Sequence, residues 1–171
     1  MTKLKQYCPT LTIRVLWLAD PIPDPKGYTK LIPGPLDQLA GSLYKTFNRS
    51  TDNPLDRGMG IPVFFHNALP PKPYVLEQSK HTILVVLVDD RMVINPSWNE
   101  GLVALGEAVS KAKHLRRIYP VSLSPNAFNI GPTVAVTNFI RLHNLPATEH
   151  ATRLSSTLTH ELCRLLLAGK R

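Results

Sequence analysis

The chain has 171 residues, 43% of them hydrophobic, and its 20 Lys and Arg against 12 Asp and Glu give a formal net charge of +8. That length and apolar content build one domain with a real core, which excludes a disordered chain. No apolar stretch approaches the roughly 18–20 residues that span a bilayer.

The basic excess suits a nucleic acid, an anionic membrane surface or an anionic small ligand. Its residues are scattered, and no nucleic-acid motif or aromatic-plus-basic platform accompanies them. Neither nucleic acid nor membrane is therefore expected as a partner. The amino-terminal stretch MTKLKQYCPTLTIRVLWLAD carries lysines followed by a strand pattern, not a signal sequence. A cytoplasmic location is the expectation. Cys8 and Cys163 lack metal-ligand spacing and read as two free thiols.

Thr10 to Ala19 predicts the first strand, with Val15 to Leu18 as a buried run ending at Asp20. The proline-rich PIPDPKG that follows cannot be regular structure. Pro35 to Asn48 predicts an amphipathic helix, because Leu36, Leu39, Ala40, Leu43 and Phe47 recur at helical spacing. Ile61 to His66 predicts the second strand. Asn67 to Lys80, with prolines at 70, 71 and 73, predicts a surface loop. Thr82 to Val88 is apolar at nearly every position, as in a strand covered on both faces of a parallel sheet. A helix is expected from about Ser97 to His114, with Ser97 as its cap. Lys111 to Arg117 reads as its solvated basic end. Arg117 to Leu123 predicts the fourth strand, and Ser124 to Thr133 a loop. Val134 to Leu142 predicts a fifth strand or a short helix plus strand. Thr148 to Ala168 predicts a final helix, apolar at Leu154, Leu158, Leu162, Leu165 and Leu166.

Alternating strands and helices give an α/β fold. Right-handed crossovers make it a flavodoxin-like three-layer sandwich of about five mainly parallel strands in the order 2-1-3-4-5. The chain reads as one domain, 1–171, and the short tail after the last helix suits the amino-terminal part of a longer protein. Ligands of such sheets sit outside the carboxyl ends of the strands. Asp20, Asp89 and Asp90 end the first and third strands there. Such carboxylates cap loops by default, and three together could also hold a cation. No metal set is assigned. His66 ends the second strand, as a strand-end hydrogen bonder or an acid/base group. Arg57-Gly58-Met59-Gly60 precedes a strand and reads as a turn. No phosphate-loop, dinucleotide or serine-hydrolase motif is found.

In this order of elements, TIRVLWLAD, RGMGIPVFFHN, ILVVLVDDRMVINPSWNE and RIYPVSLSP resemble a Toll/interleukin-1 receptor (TIR) domain. More narrowly the chain is similar to the divergent bacterial TIR-like domains of defence and signalling proteins. The best marker is Trp98, opening the third predicted helix. The resemblance covers Thr10 to Leu167. It implies homotypic association, with self or another TIR-type domain, through the loop Asn67 to Lys80. It also implies cleavage of NAD, as substrate rather than cofactor, at the nicotinamide–ribose bond. The family's catalytic glutamate lies one helical turn after the Trp. Here that position is Leu102, and the nearest carboxylate is Glu100, roughly 200° around the helix from Trp98. Glu107 reads as solvated. The family's Ser-Pro after the third strand is replaced by Asp89-Asp90. Glu100 is thus the candidate catalytic carboxylate, with Asp20, His66, Asp89, Asp90 and Trp98 lining an NAD pocket. The alternatives are a catalytically silent TIR-like interaction domain, or a receiver-like or nucleotide-binding flavodoxin-like domain.

Overall fold

A computed structural model describes residues 9–19, 34–48, 58–69, 79–111, 116–135 and 138–168. Asp20, Cys8, most of the loop after the second strand (70–78) and residues 112–115 lie outside the described residues. The sheet consists of β1 (Leu11–Leu16), β2 (Val63–His66), β3 (His81–Val88), β4 (Arg116–Ser122) and β5 (Ile140–Arg141), all parallel, in the order β2-β1-β3-β4-β5. This is the flavodoxin-like order expected from the alternation of elements.

The β3 run is apolar throughout because it serves two cores. Ile83, Val85 and Leu87 point to one face, where they meet α1 (Pro35–Phe47) and α5 (Ala147–Ala168). Leu84, Val86 and Val88 point to the other, under α2 (Asp90–Val93), α3 (Pro96–Lys111) and α4 (Pro132–Ala135). All six are at most 1% exposed. Burying each contributes about 1.5–3 kcal/mol relative to exposure. On α1, Leu36, Leu39, Ala40, Leu43 and Phe47 face the sheet as their spacing predicts. On α5 the row is Leu154, Leu158, Leu162 and Leu165, while Leu166 turns outward, 39% exposed.

Several boundaries differ from the sequence expectation. β1 stops at Leu16, although Trp17 and Ala19 still donate backbone hydrogen bonds to His66 and Asn67. Residues 90–93, expected as loop, form α2 because the Asp89 carboxylate caps it, accepting from the Met92 amide at 2.9 Å. The cap of α3 is Asn95, not Ser97. Its side-chain oxygen accepts from the Trp98 amide at 3.2 Å, with Pro96 in the first turn. The expected loop 124–133 contains a 3-10 turn, Pro125–Asn129. Val134 to Leu142 proves to be the end of α4 followed by the two-residue β5. Arg116 and Arg117 belong to β4, not to a helix end. Gly58 and Gly60 take φ of 50° and 65° as the chain approaches β2, and Arg57 lies outside the described residues.

Candidate functional site

The carboxyl ends of β1, β2 and β3 form the crevice in which a ligand was expected. Asp89 follows β3 directly. Its Oδ1 caps α2, and its Oδ2 accepts from Arg91 Nε at 2.7 Å. Arg91 NH2 in turn donates to the Leu18 carbonyl at 3.4 Å, tying the end of β1 to α2. Both oxygens of Asp89 therefore hold backbone and guanidinium groups of the scaffold.

Asp90 turns away from the sheet, exposed, and accepts from the Asn126 amide at 3.0 Å. The Ser124 hydroxyl and the Asn126 amide beside it hold its carboxyl below the ordinary carboxylate range. Among the described residues no three His, Cys, Asp or Glu side chains gather as a metal site.

His66 is half-buried at the end of β2. Its Nε2 lies 3.3 Å from Arg14 NH1. A guanidinium only donates, so Nε2 is the acceptor and the ring proton sits on Nδ1. Burial, and then the Arg14 charge, push the His66 pKa below its ordinary value. A neutral His66 accepting from Arg14 is a hydrogen-bonded strand-end histidine. Arg14 also stacks over Phe64, 5.5 Å from the ring centroid.

Trp98 is 5% exposed and belongs to the core under α3. Leu102, one turn on, is fully buried in the same core, so the position that carries the glutamate in the resembling family faces inward here. Glu100 lies on the opposite face and is exposed, as is Glu107. The helical phase accounts for this: about 100° per residue sets position 100 against the row formed by Trp98, Leu102, Leu105 and Val109. Glu100 does stand beside one tertiary contact. Gly101 is buried and receives the side chain of Leu69, from the start of the loop after β2. Of the candidates, His66 ends β2 and Asp89 follows β3, with β1 between them, Trp98 lies in the core under α3, and Glu100 stands on the exposed face of α3.

Sequence reading missed three polar junctions. Asn99 donates to the Val93 and Asn95 carbonyls at 2.7 and 3.1 Å and accepts from the Gly131 amide at 2.9 Å. It binds α2, α3 and the start of α4 together. Ser122, fully buried at the end of β4, has its hydroxyl 2.8 Å from His143 Nδ1. Trp17 donates from its indole to Asp37 of α1 at 2.9 Å. None has a local motif, because each junction includes a partner from a distant part of the chain. The Trp17 ring meets Phe65 edge-on, centroids 5.7 Å apart, and Phe65 meets Tyr44 at 5.8 Å.

Comparison with protein-family models, with curated proteins and with solved structures finds no match to this chain. No described helix is long and apolar enough to cross a membrane.

Proposed function

We propose that this is a TIR-like signalling domain of the bacterial defence type, which acts by associating with a second copy or another TIR-type domain through its β2 edge. The observation that carries this reading is the aromatic surface at that edge. Phe64 and Phe65 are 40% and 45% exposed, on opposite faces of the terminal strand, and Tyr44 is 40% exposed against Phe65. Covering such side chains contributes about 25 cal/mol per Å² of apolar surface removed from water. A terminal strand also offers its outer backbone edge to a partner. The crevice supports the same reading, because both oxygens of Asp89 and the Nε2 of His66 are engaged within the fold. In the Phe64→Ser/Phe65→Ser variant, sedimentation velocity is expected to report monomer at concentrations where the natural chain associates. Unchanged association would move the interface elsewhere.

A second reading is NAD cleavage with Glu100 as the catalytic carboxylate. It is favoured by the Leu69–Gly101 contact, which sets Glu100 where the loop after β2 meets α3. A carboxylate there would stabilise the positive charge that develops on the ribose as nicotinamide leaves. Nicotinamide release from NAD, followed in dilute and concentrated protein, tests it. Activity lost in Glu100→Gln supports it, and no release at any concentration leaves association as the function.

A further inference from the structure

Backbone directions along β2 decide what its open edge can bind. The Pro62 and His66 carbonyls accept from the Ile13 and Trp17 amides, at 2.9 and 3.1 Å. Backbone groups alternate sides along a strand, so residues 62, 64 and 66 face β1. Val63 and Phe65 therefore turn their N–H and C=O groups to the open edge of the sheet. Among the described residues nothing bonds these outward groups.

The outward row is short because both its ends are closed. The Ile61 N–H is taken by the Phe47 carbonyl of α1 at 2.9 Å, and the Asn67 carbonyl turns inward to accept from the Ala19 amide at 3.2 Å. Pro62 interrupts nothing, since the N–H it lacks would face β1. The first part of β4, which β5 leaves uncovered, differs. There the Ser122 carbonyl accepts from Leu142 on the β5 side, so Pro120, two residues earlier, faces that side without a donor.

The side chains of the β2 edge are apolar on both faces. Phe64 projects on the side of Arg14, and Val63 and Phe65 on the side of α1. Two copies that meet here about a twofold axis run antiparallel. Opposed residues must then share a face of the sheet, and hydrogen-bonded pairs must join residues that face outward. Pairing centred on Val63 sets Phe65 against Ile61, whose N–H is taken. Pairing centred on Phe65 sets Val63 against Asn67, whose carbonyl is turned inward. Pairing centred on Phe64 sets Val63 of each copy against Phe65 of the other. Both pairs exchange N–H and C=O bonds, so every outward group of the two strands is used. The two Phe64 rings meet in the closely spaced pair between them, where aromatic side chains stabilise a sheet. A foreign strand would have to reproduce this apolar pattern and length, which a second copy already has.

We propose that two copies of the chain join through an antiparallel β2–β2 pair centred on Phe64, which makes one continuous sheet of their two. This rests on the β2-edge association proposed above and gives it a partner and a register. An interface of this length belongs to the transient class, below about 1,200 Å², so the dimer is weak in dilute protein.

Cysteine trapping in a Cys8→Ser/Cys163→Ser background reads the register. The two Cα atoms of residue 64 are expected about 4.5 Å apart, within disulfide reach, and those of residue 65 roughly 8 Å apart, beyond it. Under mild oxidation Phe64→Cys should form covalent dimer at least about tenfold faster than Phe65→Cys. Val63→Pro keeps both phenylalanine rings and removes one outward donor from each strand. Sedimentation velocity should show association weakened about tenfold or more, in a chain that circular dichroism shows to be folded. If Val63→Pro unfolds, the trapping rates decide alone. Trapping no faster with Phe64→Cys than with Phe65→Cys overturns the strand pairing and leaves the aromatic edge as the interface. So does association that Val63→Pro leaves untouched while Phe64→Ser/Phe65→Ser abolishes it. A natural chain that is monomeric at millimolar concentration also overturns the pairing, and leaves the edge to a different TIR-type domain. Association that survives Phe64→Ser/Phe65→Ser fails the β2-edge reading itself, and the pairing with it.

Discussion

The crevice at the carboxyl ends of β1 to β3 and the groove between the first part of β4, residues 138–141 and α5 are both rich in charged side chains, yet they hold them differently. In the crevice Asp89 takes both of its side-chain partners from its own loop. Asp89 holds the Met92 amide three residues on and Arg91 two residues on. The groove takes its partners from further off: Arg141 stacks over Phe128 and the Glu161 carboxylate accepts from Tyr119, 42 residues away, as well as from Arg164. A charge whose partners are supplied by its own loop is structural by default. The lesson is that a carboxylate at the usual place for chemistry is read only once its partners in the fold are known.

The largest expected effect comes from placing a charge where the resembling family has one. Leu102→Glu buries a carboxylate in the core under α3, at a cost of about 4 kcal/mol or more in urea unfolding. A smaller loss would mean that α3 can turn its glutamate outward, and the crevice would then be adaptable rather than filled.

Asp89→Ala removes the cap of α2 and the partner of Arg91. It is expected to cost about 1–2 kcal/mol by the same measurement. No loss would break the contrast, because Asp89 would then be dispensable to its own loop. Trp17→Phe keeps the ring against Phe65 and removes the indole donor to Asp37. About 1 kcal/mol is expected, with Trp17→Tyr failing to restore it.

The His66 prediction concerns pH. Its folded-state pKa lies below the ordinary histidine value of 6.5. As pH falls through that value the unfolded chain takes up the proton first, so stability falls as pH drops from 7.5 to 5.5. His66→Gln, which can still accept from Arg14, should flatten this part of the melting-temperature profile. An unchanged slope would show that other groups set it. The smallest effect is expected in the groove: Arg153→Ala should change stability by no more than about 0.5 kcal/mol. A larger loss would show that this arginine holds the fold.

How far the site was legible follows from the same distinction. The strand order and the buried β3 run could be read because period and composition are local: an all-apolar eight-residue segment has few places to go other than the middle of a parallel sheet. Leu102 could be identified as the departure from the family pattern for the same reason. α2 was missed because its four residues have no periodicity, only a capping carboxylate that looks identical to a ligand group in the sequence. Asn99 gave no signal, since its partners at Val93 and Gly131 meet only when α2, α3 and α4 come together.

The sequence by itself determined the layers of this protein: which runs are strands, which helix faces are apolar, and that Glu100 stands off the row of Trp98 and Leu102. Those follow from side-chain periodicity, which needs no knowledge of distant neighbours. Only the tertiary structure decided which charges are satisfied. β5 is too short to cover β4, and α5 crosses the gap with Arg153 and Arg164 turned into it. Charges add up in space, and the arginines of the groove are up to 48 residues apart in the chain, between Arg116 and Arg164.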